Sequence, residues 1–206
     1  MQKLIKPLVF VALLGPAAWW AFIIWRAYLG DVAYLGPDPP KTLALASGEW
    51  SIRILMLALA VTPLRYLFNY AYLWRLRRMV GLYAFFYVSL HFIVFVLLLL
   101  ELDFSALAKE LYERPYITLG FMSWILLLLL TMTSFNRAQR ALGRNWKRLH
   151  RGAYIAAILA VMHLIWIVRS DFGEALLYVV ILAVLLGYRA LHKYSPKARQ
   201  FAFRNL

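Results

Sequence analysis

The chain has 206 residues, 64% of them hydrophobic, with a formal net charge of +14 and no cysteine. The lack of cysteine excludes disulfides, thiolate metal sites, iron–sulfur clusters and cysteine nucleophiles. Soluble domains are about 45–50% apolar and disordered chains are less so, so the composition predicts an integral membrane protein.

Six apolar stretches approach or reach the roughly 20 residues that a helix needs to cross a bilayer. They are residues 8–28, 51–68, 79–100, 116–135, 153–168 and 175–188, of which the last two are somewhat short. The runs are continuous rather than alternating, which favours helices over the strands of a barrel. We expect an all-α integral membrane protein, a six-transmembrane-helix bundle that forms a single domain over residues 1–206.

The first apolar run follows two lysines, as the core of a signal peptide does. It contains three tryptophans and lacks a clean small-residue cleavage site, so we expect a retained helix. The largest outer loop, residues 30–50, contains the turn-forming segment Gly36-Pro37-Asp38-Pro39-Pro40 and is too small to fold alone. Once the spans are removed, no repeat, low-complexity segment or soluble domain remains.

The charges separate when the loops are numbered alternately. The N-terminal segment, the second loop with the helix end before it, the fourth loop and the C-terminal tail hold most of the 23 basic residues and none of the nine acids. The positive-inside rule therefore places both termini in the cytoplasm. The net charge follows from this topology and implies no nucleic-acid partner. Attraction to anionic membrane lipid explains most of the basic residues, and docking of a flavin phosphate or a cytosolic electron donor is the alternative.

Two histidines lie inside the predicted spans, where no Asp or Glu lies mid-membrane. The missing carboxylates argue against a proton-coupled pump. His91 lies 13 residues after Arg78 and His163 lies 12 residues after Arg151, which at 1.5 Å per residue gives similar depths of about 18–20 Å. Two imidazoles at one level suit the axial positions of a haem iron, with helix–helix hydrogen bonding as the alternative. Zinc is disfavoured, since no Asp, Glu or Cys is close in sequence.

The small residues before His163 would let a flat ring or a neighbouring backbone approach the fifth span. They are Gly152, Ala153, Ala156, Ala157 and Ala160.

The other two histidines lie near the cytoplasmic side. His150 precedes His163 by 13 residues and points about 140° away from it on an ideal helix. His150 has two interpretations, a cofactor contact and an interfacial polar residue. His192, in the basic tail, is expected to be solvated. No phosphate loop, dinucleotide fingerprint or nucleophile elbow is present, so electrons would have to arrive from quinol, a flavin or another protein.

Several motifs spread over nearly the whole chain are shared with a known family. They are Thr62-Pro63-Leu64-Arg65, Arg77-Arg78-Met79-Val80-Gly81-Leu82 running to His91, Arg114-Pro115-Tyr116-Ile117-Thr118-Leu119-Gly120, Leu142-Gly143-Arg144-Asn145-Trp146-Lys147-Arg148-Leu149-His150, and His163. With them the chain resembles the MsrQ (YedZ) family, the haem-binding membrane subunits of the bacterial periplasmic methionine sulfoxide reductase system. The wider group is the ferric reductase-like transmembrane domain, whose two-haem members carry a histidine pair on each of two helices. This chain keeps His150 and His163 but has only His91 on the third span.

The resemblance implies a b-type haem, FMN and a place in the bacterial inner membrane. It also implies electrons from the quinone pool or a cytosolic flavin reductase. They would pass to MsrP, a periplasmic molybdopterin subunit that repairs oxidised proteins by reducing methionine sulfoxide.

We expect an electron-transfer subunit rather than the catalytic subunit. Electrons would arrive near the basic loops at residues 75–78 and 137–151, at a flavin or quinol beside His150. They would then pass a haem between His91 and His163 and leave through residues 101–114 and 169–174. The haem propionates would pair with one of three arginines near the outer side: Arg53, Arg114 or Arg169. The alternative function is a small transporter or channel with a histidine-lined path, and a third is a purely structural subunit.

Overall fold

The computed structural model describes residues 2–168 and 172–194. Its helices are α1 (Gln2–Tyr28), α2 (Pro39–Leu67), α3 (Leu73–Val94), α4 (Phe104–Glu113), α5 (Pro115–Met132), α6 (Asn136–Leu142), α7 (Arg144–Leu149), α8 (Gly152–Ile167) and α9 (Gly173–Tyr194), and a π-helical turn, Phe95–Leu99, continues α3. The all-α prediction is confirmed over these residues.

Six segments of the described chain are long and apolar enough to cross a membrane. They are Leu4–Tyr28, Pro39–Leu67, Leu73–Leu99, Pro115–Met132, Arg144–Ile167 and Gly173–Leu191. The number agrees with the six predicted spans, and the protein is a multi-pass membrane protein.

The second helix begins well before the predicted span, and the expectation of a loop up to residue 50 was wrong for residues 39–50. The carboxylate of Asp38 accepts a hydrogen bond from the Lys41 N–H at 3.2 Å and caps α2. Pro39 and Pro40 occupy the first turn, where a missing N–H costs nothing because those N–H groups have no partner within the helix. The prolines therefore start the helix rather than prevent it. The fourth loop likewise contains two short helices, α6 and α7.

A second aspartate cap starts α4, close to the beginning of α5. The Asp103 carboxylate accepts hydrogen bonds from the N–H groups of Ser105 at 2.8 Å and Ala106 at 3.1 Å, and from the Ser105 hydroxyl at 2.6 Å. These bonds, the Ser105 hydroxyl foremost, lower the pKa of Asp103 because they stabilise its charged form.

Two helix pairs form the centre of the bundle. The most extensive contacts are between α2 and α3 and between α5 and α8, and α3 packs on α5 while α9 packs on both α8 and α2. The core is apolar, and the buried polar residues of the described chain are three serines, Ser47, Ser51 and Ser123. Ala156 and Ala157 are fully buried, and the Ser123 hydroxyl donates to the Ala156 carbonyl at 2.9 Å. The small residues of α8 thus admit a neighbouring helix.

Tyrosine hydroxyls on α3 hold α1 against the bundle. Tyr87, 1% exposed, donates to the Leu13 carbonyl at 2.7 Å and accepts from the Ala17 N–H at 3.1 Å. These two backbone groups are one helical turn apart and flank Pro16, which lacks an N–H and strains the turn around it. One turn earlier, Tyr83 donates to the Phe10 carbonyl at 3.1 Å. The two tyrosine hydroxyls therefore find hydrogen-bond partners on the backbone of α1, inside a bundle where water is scarce.

Replacing Tyr87 with Phe should destabilise the protein by about 1–3 kcal/mol, because buried backbone groups lose a partner while the ring is kept. The measurement is thermal unfolding of the detergent-purified chain. Tyr112→Phe, at a site 90% exposed, is the matched control and should melt like the parent. Equal melting temperatures for both variants would contradict the role assigned to Tyr87.

Candidate functional site

The structure places His91 of α3 and His163 of α8 side by side, as their matched depths predicted. Their ring centroids are 6.4 Å apart and the ring planes are inclined by 68°. We call this end of the bundle, where α2 and α5 begin and α3 and α8 end, the histidine end. The opposite end, where α2 and α9 finish and α8 begins, is the arginine end.

The His91 ring is held by the first part of α2. Its Nδ1 lies 3.1 Å from the Ala44 carbonyl oxygen and 3.2 Å from the Ser47 hydroxyl. The Ser47 hydroxyl donates its single proton to the same carbonyl at 3.0 Å, so its oxygen is an acceptor toward His91. Both partners accept, and His91 therefore carries its proton on Nδ1 and leaves Nε2 with a free lone pair.

The His163 ring is held in the same way by the first part of α5. Its Nδ1 lies 2.6 Å from the Tyr116 carbonyl oxygen, which can only accept, so Nδ1 is again the protonated nitrogen. The Tyr116 ring lies near the imidazole, with centroids 6.3 Å apart. Over the described residues, the hydrogen bonds of both histidine rings go through Nδ1.

A glycine lies against each imidazole. A Cβ atom added to Gly48 would meet His91 Cε1 at 3.2 Å, and one added to Gly120 would meet His163 Nδ1 at 2.9 Å. Each glycine follows the carbonyl that binds the histidine by one helical turn, so each ring lies in a notch that a larger residue would fill. The sequence alone predicts no role for either glycine. The structure shows that each leaves the space in which a histidine ring lies.

The two halves of the site repeat each other. The carbonyl and the histidine are separated by 47 residues in both halves, and the second set follows the first at a constant offset of 72 residues (Ala44 to Tyr116, Gly48 to Gly120, His91 to His163). The buried serines Ser51 and Ser123 share this offset. The pairs α2–α3 and α5–α8 are therefore two versions of one unit, and the equal spacing is the signal in the sequence that could have revealed it.

The spacing of the rings suits one metal ion between them. A bond of about 2 Å to each imidazole nitrogen, with about 1 Å from each nitrogen to its ring centre, brings two ring centres to about 6 Å. Histidine ligands of metals generally donate their other N–H to a carbonyl or carboxylate, as both do here. Groups of three or more His, Cys, Asp and Glu are absent from the described residues. Two imidazoles could hold a metal ion here only if its remaining ligands came from another molecule, such as a cofactor.

His150 lies at the arginine end, apart from this pair. Its Nε2 lies 3.2 Å from the Thr133 hydroxyl, and its ring stacks on Trp146 with centroids 4.0 Å apart. The offset of 72 residues pairs His150 with Arg78. Both halves have a histidine at the histidine end, whereas the first half has an arginine at the position that corresponds to His150.

Two of the three arginines predicted to pair with haem propionates lie in the described part of the chain. Both form hydrogen bonds or ion pairs with other side chains. Arg53 donates to Glu49 at 3.0 Å and to the Tyr178 hydroxyl at 3.3 Å. Arg114 forms an ion pair with Glu110 at 3.1 Å. Arg169 and the tail beyond Tyr194 lie outside the described residues, as does the side chain of His192.

The chain is similar to proteins of known families. The model of the ferric reductase like transmembrane component family matches residues 47–161. The protein-methionine-sulfoxide reductase heme-binding subunit MsrQ of Xanthomonas euvesicatoria pv. vesicatoria (strain 85-10) is 44% identical over 93% of this chain and 88% of its own length. The subunit of the same name from Xanthomonas oryzae pv. oryzae (strain MAFF 311018) is 44% identical over 96% and 92%. That from Polaromonas naphthalenivorans (strain CJ2) is 37% identical over 95% and 88%.

The glycine notches can be tested by adding a methyl group. Gly120→Ala should destabilise the protein by about 1–3 kcal/mol, because the new Cβ overlaps the His163 ring. Gly152→Ala is the control, since its Cβ would meet the Leu130 Cδ2 atom at an ordinary 3.9 Å. Thermal unfolding of both purified variants is the measurement. If only the control loses stability, or if neither variant does, the claim that Gly120 makes room for the His163 ring is wrong.

Proposed function

Because this chain belongs to the ferric reductase-like transmembrane family and, within it, to the MsrQ heme-binding subunits, we propose that it carries electrons across the membrane through one b-type haem. It would serve a methionine sulfoxide reductase system without being its catalytic subunit. The observation that carries the proposal is the pair of imidazoles with centroids 6.4 Å apart, both with Nδ1 bound to a backbone carbonyl.

His91 and His163 would be the two axial ligands of the haem iron. The carbonyls of Ala44 and Tyr116 fix the tautomer in which Nε2 is free, and they raise the basicity of the ligating nitrogen. Gly48 and Gly120 leave room for the rings in these orientations. A haem held there supplies a one-electron carrier whose potential depends on the axial ligands and on burial.

Arginines at the histidine end would bind the haem propionates, since guanidinium groups form charge-assisted pairs with carboxylates. Arg53 and Arg114 are the candidates in the described chain. Each is already oriented by a neighbouring glutamate. A propionate would add a partner or replace the glutamate.

The charges support an orientation of the chain in the membrane, and the family supports the direction of electron flow. We place both termini, and with them the arginine end, in the cytoplasm by the positive-inside rule. The histidine end then faces the periplasm of a bacterial inner membrane. Electrons from the quinone pool or a cytosolic flavin reductase would arrive at the arginine end, with FMN beside His150, and leave toward the periplasmic molybdopterin subunit MsrP.

Replacing His91 or His163 with Ala should abolish the low-spin b-type spectrum, because the iron loses an axial ligand. The measurement is a dithionite-reduced minus oxidised absorbance spectrum of the detergent-purified variants, with size-exclusion elution as the check on folding. Unchanged spectra in both single variants would refute the assignment of ligands.

The number of haems tests the role of His150. Since its counterpart in the first half is Arg78 rather than a histidine, we expect about one haem per chain in the parent and in His150→Ala, because a second haem with two axial imidazoles would need a histidine at that position. Haem content from the pyridine haemochrome, divided by protein from amino-acid analysis, gives the ratio. A ratio near two that falls in His150→Ala would contradict a single site.

A further inference from the structure

The two imidazoles at the histidine end are held by similar hydrogen bonds that differ in one respect. His163 Nδ1 donates to a single acceptor, the Tyr116 carbonyl, at 2.6 Å. His91 Nδ1 has two acceptors, the Ala44 carbonyl at 3.1 Å and the Ser47 hydroxyl at 3.2 Å. Both of these bonds are longer than the bond of His163, so the two rings are not equivalent.

Ser47 is the source of this difference. Its hydroxyl donates at 3.0 Å to the Ala44 carbonyl, the same carbonyl that binds His91. That carbonyl therefore serves two donors, and the proton of His91 is shared between two acceptors. Ser47 is 7% exposed, so solvent does not compete for these bonds. In the second half, the offset of 72 residues places Leu119 at the corresponding position, and a leucine side chain cannot donate to the Tyr116 carbonyl.

The strength of the bond at Nδ1 affects how well the other ring nitrogen binds a metal. A strong acceptor draws the Nδ1 proton toward itself and makes Nε2 a more basic donor. A more basic axial ligand stabilises the oxidised iron of a haem and therefore lowers its reduction potential. Since His163 has the short bond to an undivided carbonyl, His91 is the weaker donor of the two.

We propose that the Ser47 hydroxyl weakens His91 as an axial ligand and thereby raises the reduction potential of the haem. Ser47 is a positioning residue, because it acts through the His91 ring and the Ala44 carbonyl. A higher potential makes the haem a better acceptor for electrons that arrive from the arginine end. This role rests on the haem proposed above between His91 and His163.

Ser47→Ala should lower the midpoint potential, because the carbonyl would then accept from His91 alone, as its counterpart does from His163. A hydrogen bond of this kind changes an equilibrium about 3- to 10-fold, which for one electron corresponds to about 30–60 mV. The measurement is a potentiometric titration of the haem-loaded, full-length protein in detergent, followed by absorbance. An unchanged or higher potential in a variant that keeps its spectrum would overturn the proposal.

The opposite change can be made in the second half. Leu119→Ser places a hydroxyl three residues after Tyr116, the spacing at which Ser47 reaches the Ala44 carbonyl, and it should raise the potential by a similar amount. Proton NMR of the reduced, diamagnetic protein gives a second readout. In Ser47→Ala the Nδ1 proton of His91 should move downfield as its hydrogen bond shortens. Potentials that shift in the same direction in both variants would contradict the role of Ser47.

Ser51→Ala is the matched control. Ser51 is also buried on α2, but its hydroxyl donates to the Ser47 carbonyl at 2.7 Å, so its loss should leave the potential unchanged. Ser47→Thr keeps the hydroxyl and should keep the parent potential. An equal fall in Ser51→Ala would mean that the packing of α2 sets the potential, and the role of Ser47 would be refuted.

The b-type spectrum separates this proposal from the haem itself. If the spectrum persists in both His91→Ala and His163→Ala, the assignment of the haem ligands fails. If the histidine variants lose the spectrum while Ser47→Ala keeps both the spectrum and the parent potential, only the role of Ser47 fails.

Discussion

The hydrogen bond from a histidine Nδ1 to a backbone carbonyl is the interaction on which the site depends. In a membrane an imidazole without a partner is costly, and a carbonyl one turn before a glycine offers both an acceptor and the space to reach it. Ala44 with Gly48 and Tyr116 with Gly120 provide this arrangement on two helices. It fixes the tautomer, and the direction of Nε2 follows. The packing of the helices brings the two ring centroids to 6.4 Å, and the partners described for both rings include no carboxylate.

Much of the fold follows from the sequence because apolar length is a strong signal in membranes. Six spans were predicted and six were found. The beginning of α2 was missed because the Pro-rich segment before it was interpreted as a turn, whereas Asp38 caps a helix whose first two residues are prolines. Asp and Pro are common both in turns and in the first turn of a helix, so the residue types alone do not separate the two structures. Here the segment is helical, and α2 packs against α3. The short helices α6 and α7 were missed for a similar reason, since they are polar and lack the periodicity of a buried face.

The site was only partly accessible from sequence. Depth along two helices brought His91 and His163 to one level, because the rise per residue of a helix is fixed. The roles of the glycines, the carbonyls and Ser47 could not be predicted in the same way. Every residue has a backbone carbonyl, so the residue type does not show which carbonyl accepts a hydrogen bond from a histidine. The repeat at an offset of 72 residues was present in the sequence, but few residue identities besides glycine, serine and histidine are shared between its halves. Geometry, rather than residue identity, is what the two halves have in common.

The repeat also explains why the two ends of the bundle differ. At the histidine end both units have a histidine, and each histidine is bound to a carbonyl 47 residues before it. At the arginine end one unit presents His150 and the other Arg78, so the symmetry that would bring two imidazoles together is broken. His150 is instead bound to Thr133 and stacked on Trp146, and the positive charge of Arg77 lies beside it. The two units thus present a pair of histidines at one end and a histidine paired with an arginine at the other.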